Sequence, residues 1–199
     1  MARTLTIAVA LVVGLSAPTA PQALSRAEAD SMGRKLQLMM TQGEKPRAGT
    51  AAPVRTAFSE REVNAYFKHY GPVIMPPGVV DPQVTIFDGG RVAARAVVDL
   101  DAVRKSKERG WLDPMGYVTG SLEVKIAGKV LGSNGVGVLE IESASVGGVP
   151  VSKTVIRELV LFYTKTPENP TGFDIDKPFA MPVNIRSFET RLGNATVVQ

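Results

Sequence analysis

Residues 118–130 read VTGSLEVKIAGKV. Val118, Gly120, Leu122, Val124, Ile126, Gly128 and Val130 occupy every second position, with Thr119, Ser121, Glu123, Lys125, Ala127 and Lys129 between them. A period of two places the aliphatic residues on one face of a β-strand and the polar ones on the other. At ~3.3 Å per residue the strand is roughly 43 Å long, well beyond the usual length. Residues 91–103 repeat the pattern, with Val92, Ala94, Ala96, Val98 and Leu100 on one face and Arg91, Arg95, Asp99 and Asp101 on the other. Two long neighbouring strands make a tall aliphatic wall, and long strands twist and curl. Gly120 and Gly128, on the aliphatic face, permit a bend or a close approach.

The rest of the chain supplies more strands and a few helices. Residues 83–87 read as a strand ending in the turn Asp88–Gly89–Gly90, and residues 136–146 as a strand between turns at 132–135 and 147–150. The closing segments 181–191 and 195–198 form a hairpin about Gly193–Asn194. Ser25–Gln42 reads as a helix with Met32, Leu36, Met39 and Met40 near one side, followed by a Pro/Gly/Ala linker to Thr56. Ser59 and Glu62 make a capping box for a helix running to about Tyr70 and stopping at Gly71–Pro72. Its Val63, Tyr66, Phe67 and Tyr70 form a broad aromatic face. Residues 152–163 read as a second helix, apolar almost all round and therefore buried from several sides. The expectation is an α+β domain at 57–199: a long, strongly curved antiparallel sheet wrapping two helices, with the N-terminal helix and linker at 24–56 as an appendage.

Composition narrows the chemistry. The chain has 199 residues, a net charge of +4 with its basic residues scattered, no cysteine and one histidine, His69. No nucleic-acid face is indicated. Disulfides, thiolate metal sites and cysteine nucleophiles are excluded, and any histidine chemistry must use His69, which reads as a helix-end residue. No nucleophile elbow, phosphate-binding loop or zinc-protease motif occurs, so the reading is non-enzymatic, with no cofactor and no metal. Asp99, Asp101, Glu140 and Glu142 make a calcium site if their strands pair; the competing reading is a solvated face balanced by Arg91, Arg95, Lys125 and Lys129. Residues 1–23, with Arg3 before the apolar run Leu5–Leu15 and a small, Pro-rich stretch after it, have the form of a signal peptide and point to the periplasm or secretion.

Each helix is about 18 Å long at ~1.5 Å per residue, so neither alone covers the wall. Two answers remain open: the helices together close the core, or an acyl chain lies in a groove between helix and sheet. The order FSEREVNAYF (58–67), DGGRV (88–92), long alternating strands, VGGVPVSKTVIREL (146–159) and PFAMPVNIRSFETRLGNATVV (178–198) resembles the exported bacterial lipid-binding proteins of the tubular lipid-binding (TULIP)-like superfamily, over about residues 57–199. The resemblance implies a lipid or other hydrophobic ligand held or transferred in a groove. That groove is lined by the inward residues Val92, Val98, Leu100, Leu122, Val124 and Ile126, with Tyr66, Phe67 and Phe162 from the helices. Trp111, Leu112 and Met115, in a loop preceded by Arg104, Lys105 and Lys107, are candidates for transient contact with a membrane surface, or else plug the end of the core. The alternative function is a closed-core envelope scaffold that captures a protein partner through residues 25–42.

Overall fold

The computed structural model describes residues 23–45, 52–106, 119–165 and 169–199. Its helices begin where side chains satisfy free backbone N–H groups. Ser25 and Glu28 form a capping box for α1 (Arg26–Gly43), and Ser59 and Glu62 form another for α2 (Glu60–Ile74). Ser25 and Glu28 stand three residues apart, the same spacing as Ser59 and Glu62, so both helix starts carry the same sequence signal. Ser152 caps α4 (Lys153–Tyr163). The short α3 (Leu100–Ser106) starts where Asp99 Oδ1 accepts from the Asp101 and Ala102 amides at 2.9 and 3.0 Å.

That cap corrects one boundary. Strand β3 spans Arg91–Asp99 rather than running to 103, so Leu100 is a buried helix residue and Asp101 belongs to α3. Leu100 and Ala102 continue the period-two pattern by coincidence. Strand β2 (Val79–Ile86) begins earlier than expected, because Pro82 and the left-handed Asp81 (φ 47°) sit at a bulge between Val80 and Gln83 instead of ending the strand. Helix α2 likewise passes through Gly71 and Pro72 for a last turn, closed by the Met75 N–H donating to the Gly71 carbonyl at 2.9 Å.

Strands β2, β3, β4 (Ser121–Ser133), β5 (Val136–Val146) and β6 (Val149–Pro150) form one antiparallel sheet in that order, and the two-residue β7 (Phe179–Ala180) pairs the other end of β5. Asn134 (φ 51°) and Gly135 (φ 80°) make the tight β4–β5 turn, which needs a positive φ at both positions. A second antiparallel sheet has the order β1 (Arg55–Ser59), β9 (Asn194–Val198), β8 (Ser187–Arg191). Residues 55 and 56, read from sequence as the end of a linker, are thus a strand tied to the C-terminal strand. The architecture is α+β, with a large antiparallel sheet and four α-helices among the described residues.

Helix α1 is packed on α2, where each buries an alanine completely, Ala29 and Ala65. Around these alanines the contacts are polar. Lys35 Nζ donates to both Glu62 oxygens at 2.6 and 2.8 Å, Ser31 Oγ donates to Glu62 at 2.7 Å, and Arg61 Nε donates to Glu28 at 2.8 Å. The other end of α1 is held by Gln199, whose amide donates to the Met39 and Val183 carbonyls, and by Asn184, whose amide donates to the Gly43 carbonyl. Met32 and Met39 are buried as expected, whereas Met40 is exposed.

Candidate functional site

The cross-strand register assembles the aliphatic wall. Val92 lies opposite Gly128, Ala94 opposite Ile126, Ala96 opposite Val124 and Val98 opposite Leu122. On the far side of β4, Val124 faces Val146 and Ile126 faces Ala144. Past the bulge at Ala127/Gly128, Gly128 faces Ile141 and Val130 faces Leu139, so one face stays aliphatic from β3 to β5 although β5 carries an extra residue, Glu142. Gly128 has a steric reason to be glycine: a Cβ there would strike the Glu140 carbonyl oxygen.

Part of this face is closed. Ile156 of α4 and Ile175 are buried against Ala144, with Ile126, Leu139, Ile141, Val160 and Phe173 packed around them. An ion-pair network holds α4 there: Arg157 donates to both Asp174 oxygens at 3.0 and 3.2 Å, and Lys153 pairs with Asp176 at 2.6 Å. Hydrogen bonds from Arg157, and then from the Asp176 amide, hold the Asp174 carboxyl at about 2.

The other part, toward β3, is only half-buried: Val92, Val98, Leu122 and Val124 are neither fully covered nor freely exposed, whereas Ile126 packs into the α4 cluster. The sequence reading had α2 lying on this face, and its bonds place it at the sheet's margin. The Asn64 amide donates to the Val84 carbonyl and accepts from the Val84 N–H, both at 2.8 Å, and Glu60 accepts from the Ile86 N–H at 2.8 Å. These bonds occupy the outward-facing backbone of β2, an edge strand that would otherwise offer a template for pairing. Tyr66 stacks on Tyr70 at 5.2 Å and lies against Gly33 of α1, and Tyr70 donates to Asp30, so these rings are turned to α1 rather than to the sheet. Phe67 is half-buried on the same helix. Phe162 belongs to α4, but its side chain lies outside the described residues, as do Trp111, Leu112 and Met115 altogether. His69 Nε2 is 3.2 Å from the Leu24 carbonyl, a contact between helix ends.

Two open hollows lie on the opposite, polar face, which sequence reasoning had treated as plain exterior. One, of about 560 Å³, has Thr85, Ala93, Ala127 and Ser143 in line across four strands, flanked by Arg95 and Lys125. The register sets four small side chains side by side, which no single strand's pattern reveals. The second, of about 660 Å³, lies between the β4–β5 turn and β8, where Leu131, Val136 and Val138 are exposed beside Phe188. The charges on this face pair with one another. Glu142 takes Arg91 at 2.8 Å and Lys129 at 3.9 Å, and Glu123 takes Lys125 at 2.6 Å and Arg95 at 3.5 Å. The Lys125 ammonium, above all, holds the Glu123 carboxyl below the usual range. Asp99, from the proposed calcium set, is engaged in capping α3. Among the described residues no group of three or more potential ligands converges on a metal position.

No family model, curated protein or solved structure matches this chain. The helix start that carried the resemblance has a local explanation in every polar residue: Ser59 caps, Glu60 and Asn64 bind β2, Arg61 pairs with Glu28, and Glu62 closes the capping box while receiving Lys35.

Proposed function

We propose that this chain is an exported, non-enzymatic binding protein that holds or transfers a lipid or other hydrophobic ligand on the aliphatic face of its large sheet. In this reading the sheet curls about that face, α4 closes the β5 side over Ile126, and the ligand lies along Val92, Val98, Leu122 and Val124. The observation that carries the reading is the half-burial of these four residues, with α2 bonded along the sheet's edge instead of over them. Each methylene transferred from water contributes about 0.8 kcal/mol, so an acyl chain needs an aliphatic groove and no polar constellation.

The test is organic extraction and mass spectrometry of protein purified without detergent, with titration of a fluorescent fatty acid. Val98→Trp and Val124→Trp, which fill the groove, are expected to weaken probe binding by about tenfold or more. Absence of extractable lipid together with absence of probe uptake refutes the reading.

A second reading, a closed-core scaffold that binds a protein partner, is favoured by the exposed Leu131, Val136 and Val138 beside Phe188. It does not use the inner face of α1, whose Ala29, Met32 and Met39 are already buried.

A further inference from the structure

Asn134 is followed by Gly135, whereas Asn64, Asn169, Asn184 and Asn194 all precede residues with side chains. An asparagine before glycine is chemically labile in water. The backbone nitrogen of the glycine attacks the asparagine Cγ, and no side chain on the glycine stands in the way. A C–N bond forms and the Cγ–Nδ2 bond breaks. The proton of the attacking nitrogen leaves with the Nδ2 group as ammonia, and the product is a five-membered succinimide ring. Water then opens the ring at either carbonyl to give aspartate or isoaspartate, and nothing is oxidised or reduced. Asn134 is exposed at the two-residue β4–β5 turn, so water reaches it.

The fold opposes this reaction in two ways. Asn134 has φ 51° and Gly135 has φ 80°. A left-handed residue has a ψ of about +47°, which turns the next nitrogen away from its own Cβ, whereas ring closure needs the two on the same side. The nitrogen is also engaged. The Gly135 N–H donates to the Arg186 carbonyl at 3.0 Å, and the Gly135 carbonyl accepts from the Met181 N–H at 2.8 Å. Both partners lie in the segment between β7 and β8, which is itself fastened. The Asn184 amide donates to the Gly43 carbonyl of α1 at 2.6 Å, and the Gln199 amide donates to the Val183 carbonyl at 2.6 Å. We propose that Asn134 is a deamidation site held closed by residues 181–186, and that it reacts when this segment leaves the β4–β5 turn. The change runs one way. Isoaspartate adds a methylene to the main chain, which disrupts a two-residue turn whose twist must match its strands. Aspartate instead places a carboxylate between Ser133 and Gly135, at the rim of the hollow of about 660 Å³ that Ser133 and Val136 line.

The full chain is kept in mildly alkaline buffer, either folded or unfolded in urea, and is then digested with trypsin. The fragment 130–153 carries Asn134 as its only side-chain amide, so its mass reports the conversion. Folded protein is expected to convert more slowly than unfolded protein by about tenfold or more, in proportion to how rarely the turn opens. Hydrogen exchange on the folded chain should find the Gly135 amide protected. Asn184→Ala, which releases the Gly43 carbonyl and sets alanine at a positive φ, should raise the folded rate and leave the unfolded rate unchanged. Equal conversion in folded and unfolded protein, or a freely exchanging Gly135 amide, overturns the proposal. A folded Asn184→Ala chain that converts no faster than the original overturns it too. Should that variant fail to fold, the first two measurements decide.

Discussion

Asn64→Ala removes one side chain and frees two backbone groups. The Asn64 amide both donates to and accepts from Val84, each bond at 2.8 Å in a partly buried setting between α2 and the edge of β2. A net hydrogen bond is worth about 1 kcal/mol, and a partly buried backbone group left without a partner adds to the loss, so the substitution should cost about 2–3 kcal/mol. For a chain of this size that corresponds to a fall in Tm of about 4–12 °C. In urea the midpoint should drop by about 1 M with an unchanged slope. Asn64→Asp keeps the acceptor for the Val84 N–H but sets a carboxylate against the Val84 carbonyl, and should recover little of the loss. Hydrogen exchange supplies a local reading: the Val84 amide should lose protection in both variants, more than amides of the central strand β4. A loss below about 0.5 kcal/mol, or an unchanged Val84 exchange rate, refutes the view that α2 is fixed to the sheet by this amide.

The acid limb of stability should follow three carboxylates. Burial pushes Glu62 up, but hydrogen bonds from Lys35, Ser31 and the Ser59 amide outweigh it and hold the group at about 2; Arg61, and then Ser25, hold Glu28 at about 2, and Asp174 is held equally low. Their folded values lie below their unfolded ones, so their contribution is complete above about pH 4.5 and is lost as pH falls toward about 2. Urea midpoints measured from pH 6 to pH 2 should decline over that window, and Glu62→Gln should flatten the decline while lowering stability at pH 6. Gly128→Ala should destabilise by about 2 kcal/mol or more, because the new methyl strikes the Glu140 carbonyl at the bulge and backbone cannot yield as a side chain can; thermal unfolding tests this, and a neutral result would mean that the bulge can relax.

Local signals were legible in the sequence because they act over a few residues. The Ser59–Glu62 capping box, the alternation through β4 and the turns at Asn134–Gly135 and Gly147–Gly148 depend on neighbouring side chains and on φ, and the strands and helix follow them. Leu100 shows the limit: its place in the alternation fits a strand, and only the Asp99 cap reveals the helix. Periodicity also says which face of α2 is apolar, not what that face meets. The tertiary structure turned Tyr66 and Tyr70 toward α1 and used the polar Asn64 and Glu60 to tie α2 to the edge of β2. It paired Arg55–Ser59 with the C-terminal strand, a contact between segments at opposite ends of the domain. The sequence by itself determined an aliphatic wall on a long antiparallel sheet, because side chains alternate along every strand. Which elements cover that wall was decided only in three dimensions, where distant segments compete for the same apolar surface and backbone hydrogen bonds at the sheet edge outweigh the greasiness of a helix face.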